Sequence, residues 1–174
     1  MQIINPNNEK EFTDIARISV FLGGGCTTGG WRDEFFAYIK QFILSSLVIW
    51  DPYNPEITNA YTQIKWEVDK INSCDILSLY FDKYTDQPIS MLELGKMFEL
   101  AKDKCVHVET SVGKTAVYTQ YGKPLIVGVH PEAPKREDIL IQCQLAGYKA
   151  CVCSPQDHAK HIIAAHQDIK LRMK

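Results

Sequence analysis

Val20-Phe21-Leu22-Gly23-Gly24-Gly25-Cys26-Thr27-Thr28-Gly29-Gly30-Trp31-Arg32-Asp33-Glu34 is the stretch that decides the fold of this chain. An apolar strand, about Ile15 to Leu22, runs into five glycines within eight residues. Helical spacing follows at once in Phe35, Phe36, Ile39, Phe42 and Ile43. Glycine has no Cβ, so a ligand can approach the main chain there. The first amides of the next helix have no intrahelical partner and suit a sugar, a phosphate or a nucleotide. A tight turn with no ligand is the plainer reading of the same glycines. The dinucleotide pattern G-x-G-x-x-G fails, because its third glycine falls on Thr28. The P-loop pattern also fails, because Gly30-Trp31 stands where Lys-Ser/Thr must be.

The rest of the 174 residues repeats the strand–helix alternation. Strands are expected at Leu47 to Trp50, Asp75 to Phe81, Leu125 to Val129 and Ala150 to Cys153. Helices are expected at about Trp31 to Leu44, Ala60 to Asn72, from near Ile89, at Arg136 to Ala146 and from Pro155 to the end. Residues 106–121 are polar, with a short helix expected over Thr115 to Tyr121. Alternation of this kind predicts a doubly wound α/β domain. Its five-stranded parallel sheet has flavodoxin-like order between two helical layers, a Rossmann-like three-layer sandwich. No linker or repeat interrupts it, so residues 1–174 read as one domain.

A net charge of −2 gives no strong attraction to nucleic acid or a membrane surface. No apolar run approaches the roughly 20 residues of a membrane span. The opening residues, Met1 to Asp14, have no signal-peptide core, which predicts a cytoplasmic protein. The six cysteines form no CxxC pair, and Cys143, Cys151 and Cys153 have no histidine cluster at ligand spacing. They are read as thiols, with no metal and no organic cofactor expected. Cys26 is read as a loop-packing residue.

In an open parallel sheet, ligands bind beyond the carboxyl ends of the strands. Four segments fall there: residues 23–32, 51–55, 82–93 and 130–134. Gly23, Gly24 and Gly25 would approach the ligand. Asp51 and Asn54 would contact a base or sugar, or simply make an Asx-Pro turn. Trp31 would pack on the ligand or in the core. Arg32 would bind a 5′-phosphate or, the preferred reading, pair with Glu67 across two helices. Ser90 would bind a phosphate or serve the first turn of the third helix. Glu93 lies in an apolar run, Met91-Leu92-Glu93-Leu94, near the positive end of that helix, which marks it as functional. Gly95 beside it implies close packing on the backbone.

The pieces Phe21-Leu22-Gly23-Gly24-Gly25, Trp31-Arg32, Asn54-Pro55, Gln63-Ile64-Lys65-Trp66-Glu67, Cys74-Asp75-Ile76-Leu77 and Pro88-Ile89-Ser90-Met91-Leu92-Glu93-Leu94-Gly95 are similar, in this order, to the nucleoside 2-deoxyribosyltransferase-like proteins. The resemblance spans about Ile18 to Val129. It implies a homo-oligomeric enzyme that breaks the N-glycosidic bond of a nucleoside or nucleotide without a cofactor. Glu93 would be the nucleophile, forming a glycosyl ester with retention of configuration. A free nucleobase would then take the sugar, or water would. The rival readings are a 2′-deoxynucleoside 5′-monophosphate hydrolase and a nucleotide-sensing module without catalysis. The leaving base needs a proton. Asp75 matches a family position but lies at the wrong end of its strand. The family's acidic position six before the glutamate is Gln87 here. Asp86 is therefore the first candidate for proton donor and Asp82 the second.

Overall fold

The computed structural model describes residues 1–9, 17–26, 30–54, 56, 59–109, 115–120 and 122–173, with backbone alone for 104–109 and 115–120. In chain order the first elements are β1 (Gln2–Ile4), β2 (Ile18–Gly24), α1 (Gly30–Ile39), β3 (Leu47–Trp50), α2 (Ala60–Ser73), β4 (Ile76–Phe81) and α3 (Pro88–Ala101). They are followed by β5 (Lys104–Glu109), β6 (Thr115–Gln120), β7 (Leu125–Val129), α4 (Arg136–Leu145), β8 (Ala150–Val152) and α5 (Pro155–Arg172).

The main sheet is parallel throughout and runs β1-β3-β2-β4-β7-β8. Without β1 this is the expected flavodoxin-like order. The sixth strand is the short run Gln2–Ile4, which adds to the edge beside β3. It sits inside a polar stretch and gives little periodic signal. The second correction concerns residues 115–120, expected as a helix. They form β6, which pairs antiparallel with β5. Thr115, Val117, Tyr118 and Thr119 are β-branched or aromatic, and that local preference wins.

Alternation along β2 sends successive side chains to opposite faces. Val20 and Leu22 join Trp31, Phe35, Tyr80 and Ile162 under α1 and α5. Phe21 joins Trp66, Leu79, Leu94, Met97 and Ile139 under α2, α3 and α4. Both faces are covered, which is why β3 and β4 are buried along their whole length. Caps fix where the helices begin. Asn59 accepts from the Thr62 amide to start α2, and Ser154 from the Asp157 amide to start α5. Helix α1 stops at Ile39, short of the expected Leu44. Its last turn tightens, with the Gln41 amide on the Tyr38 carbonyl, and Ile43 stands in solvent. On the inner face of α5, the buried His158 Nε2 lies 2.8 Å from Ser78 Oγ of β4.

Candidate functional site

The strand order reverses between β2 and β4, so the segments that follow those strands meet at the switch point. From β2 comes the glycine loop. Gly24 has φ +137°, and a Cβ there would lie 2.4 Å from the Tyr80 carbonyl oxygen. A Cβ on Gly25 would lie 2.6 Å from Asp82 Oδ2. These two positions require glycine because the backbone packs directly on β4 and on the segment that leaves it. The Gly25 amide donates to Gln87 Oε1 at 2.8 Å, tying the loop to the start of α3. Gln87 itself is left-handed, with φ 47°, and Pro88 opens the helix behind it. Thr27, Thr28, Gly29 and Pro55 lie outside the described residues.

Trp31 and Arg32 are both buried. The Trp31 indole donates to the Gly25 carbonyl at 3.1 Å and packs on Tyr80. Its place is beneath the loop, in the core. Arg32 does not pair with Glu67 as expected. Its Nε donates to Asp51 Oδ1 at 2.9 Å, and its remaining nitrogens reach the Leu22, Gly24 and Gly25 carbonyls. Asp51 follows β3 directly, so it is the nearer acid and is equally buried. It also accepts from the Tyr53 amide. Asn54 Oδ1 caps the Glu56 amide at 3.0 Å, while its Nδ2 is buried without a partner among the described residues.

The carboxylates sort by position. Asp75 stands at the opposite end of β4, where it accepts from the Ser19 amide and hydroxyl, and it does not join the site. Asp86 is exposed and lies 4.0 Å from Lys135. Asp82 is buried. Its Oδ1 accepts from the Tyr84 and Thr85 amides, and its Oδ2 has no partner among the described residues. Of the two, Asp86 stands at the surface and Asp82 borders the glycine loop. The first leaves the sheet with its loop; the second directly follows the last strand residue. Ser90 is buried in the first turn of α3.

Glu93 is half-buried on α3. Burial, and then the charge of Glu67, push its carboxyl up to about 7 despite the opposing charges of Arg32 and Lys96. The stabilising helix end expected for Glu93 is outweighed, since it lies in the second turn of α3 and that effect fades within the first. Burial also raises Glu67, whose Oε1 accepts from Gln63 Nε2, and Gln63 in turn donates to the Pro52 carbonyl at 2.7 Å. The charges of Arg32, Asp51, Glu67 and Glu93 all reach the Cys26 thiol on the glycine loop. Acids from α3 and α2 thus both act electrostatically on the loop from β2. Sequence reading missed Glu67 as a member of this group. Its signal was the Gln63/Glu67 spacing of one helical turn beside the buried Trp66. Gly95 departs from expectation, because open space surrounds it.

Among the described residues, no group of three or more His, Cys, Asp or Glu is placed to hold a metal ion. None of their helices is long and apolar enough to cross a membrane.

A flavodoxin-like sheet with a glycine loop at its switch point and two raised carboxyls on the flanking helices defines a doubly wound α/β protein. A family model described as nucleoside 2-deoxyribosyltransferase like matches residues 17–112, just over half of the chain, and the chain belongs to that family. The match includes the glycine loop, Asp51, Glu67, Asp82 and Glu93. A search of the curated proteins gives no match.

Proposed function

We propose that this protein transfers the sugar of a 2′-deoxynucleoside between nucleobases through a covalent glycosyl ester on Glu93. The observation that carries the reading is the pair of half-buried carboxyls, Glu93 and Glu67, both raised by burial, with the charge of Glu67 acting on Glu93. Neighbouring acids raised in this way share a proton near neutral pH; Glu93 is the one pushed up to about 7, so the reactive form is the one in which that proton has passed to Glu67 and Glu93 is ionised. Ionised Glu93 attacks the anomeric carbon. The C–N bond breaks and its electron pair goes to the base nitrogen, which takes the proton of Glu67. A second base then attacks the same carbon, expels Glu93 and returns a proton to Glu67. Two inversions give net retention. Water in place of the base gives hydrolysis.

Charge favours a nucleoside over a 5′-monophosphate. Glu67, Asp82 and Glu93 are acidic, while Arg32, the first candidate for a phosphate, spends its donors on Asp51 and the loop carbonyls. Exposed Tyr61 and Ile64 on α2 and Ile89 and Leu92 on α3 favour self-association of the chain beside this cleft. Sedimentation of the intact protein tests that part.

The deciding experiment incubates the protein with a panel of deoxynucleosides and their 5′-monophosphates, with and without a second base, and separates the products. Base exchange on nucleosides is the expected result. Free sugar from monophosphates alone would support the hydrolase reading. Binding without turnover would support a sensor. The intact mass should gain one deoxyribosyl group in the wild type and none in Glu93→Ala. Full activity in Glu93→Gln would refute the assigned nucleophile.

A further inference from the structure

An arginine carries five N–H donors and keeps its charge at any physiological pH, so a buried one must find several acceptors. Arg32 finds them all inside the protein. Nε donates to Asp51. One terminal nitrogen donates to the Gly25 carbonyl. The other lies 3.4 Å from both the Leu22 and Gly24 carbonyls and 3.6 Å from Cys26 Sγ. Trp31 covers the guanidinium at 4.4 Å and Tyr53 stands 5.6 Å away. These partners come from β2, its loop, α1 and the segment after β3.

Resting on the reading of Glu93 given above, we propose that Arg32 is a positioning residue: it locks the glycine loop to Asp51 and stands as a fixed positive charge beside the Glu67–Glu93 pair, without touching substrate. The groups that act on Glu93 are Glu67 from α2, Arg32 from α1 and Lys96 from its own helix. Its own charge in turn reaches Cys26 on the loop. Of the two cations, Lys96 is only half-buried. Arg32 is the one held in place by its bonds. The same bonds that hold the loop in place therefore favour the ionised nucleophile.

The test is a carbon-13 NMR titration of the glutamate carboxyls in the intact protein, with Glu93 and Glu67 assigned from the spectra of E93Q and E67Q. In R32M the Glu93 midpoint should rise by about one pH unit, the low end of what a nearby opposite charge does to a carboxyl. R32K should restore most of that shift while melting below the wild type, because an ammonium cannot make the same set of bonds. D51N keeps the positive charge and removes its partner, so it should move the midpoint down. An unmoved midpoint in R32M, or R32K behaving like R32M, would leave Arg32 as a fold brace only. Should R32M fail to fold, R32K and D51N decide the matter by the opposite signs of their expected shifts against R32M and wild type: a D51N midpoint that stays or rises overturns the proposal. These titrations need no substrate, so they stand even if no nucleoside is turned over. Where base exchange is measurable, a rise of the midpoint from about 7 to 8 lowers kcat of R32M at pH 7 about fivefold with KM unchanged. A rise in KM alone would mean contact with substrate and overturn the proposal.

Discussion

Replacing Glu93 by glutamine should abolish turnover and, at the same time, make the protein harder to unfold at alkaline pH. In the folded chain the Glu93 carboxyl sits at about 7, against 4.5 for an ordinary glutamate, chiefly because it is buried and then because Glu67 is near. An acid raised on folding binds its proton more tightly in the native state than in the unfolded one. Stability is then fully present below the unfolded value and declines as pH rises through the window from 4.5 to 7. Glutamine has no proton to lose. The advantage of Glu93→Gln over the wild type should therefore grow by about 2.5 kcal/mol between pH 5 and pH 8, an upper figure because the carboxyl keeps some access to water. For a chain of this length that corresponds to about 5–10 °C in Tm. Scanning calorimetry of both proteins at the two pH values reads it directly. A Tm difference that is the same at pH 5 and pH 8 would refute the coupling of burial to ionisation on which the reading of this carboxyl rests.

Three further outcomes follow from other parts of the site and its support. Gly24→Ala places a Cβ at φ +137° and 2.4 Å from a carbonyl oxygen of β4 that cannot move aside, so the denaturant midpoint should fall by the equivalent of roughly 3 kcal/mol; an unchanged midpoint would contradict the loop geometry. Asp86→Ala removes an exposed side chain and should leave base exchange within about twofold of the wild type, because surface changes of this kind cost little. A large loss of kcat in that variant would restore Asp86 as the proton donor. His158 is buried on the inner face of α5, and burial pushes its pKa down to about 3 from 6.5. The unfolded chain then binds the extra proton first, so stability is lost as pH falls below 6.5, by about 2 kcal/mol at pH 5. His158→Gln should flatten that acid limb, and an unaltered limb would place its origin elsewhere.

The alternation of apolar strands with helical spacing was enough to read the sheet order, because parallel strands buried on both faces need continuous apolar runs and crossover helices. The short β1 and the pair β5–β6 were not legible, since three residues at an edge, or a polar hairpin, leave no periodicity that a core imposes. Glu93 was legible as an acid among Met91, Leu92 and Leu94. Asp82 comes immediately after Phe81, so the strand's own direction carries it to the carboxyl edge of the sheet beside the glycine loop. The partner of Arg32 was not legible. Asp51 and Glu67 are both acids at plausible distance along the chain, and only the register of β2 against β3 brings the first within reach.

That register also explains why the chemistry gathers on one side. Asp75 and Asp82 flank the same strand, yet one braces Ser19 and the other borders the glycine loop. A parallel sheet points every strand the same way, so the residues after β2, β3 and β4 share one edge whatever their spacing in sequence. At that edge the cation is spent on the backbone and on Asp51, while two acids are left raised and close together. A phosphate site would need the reverse, with free donors and few carboxylates. The distribution of spent and unspent charge thus selects among the ligands that a glycine loop admits. On the proposed reading, that distribution suits a neutral sugar whose bond breaks through positive charge at the anomeric carbon, next to an acid raised by burial.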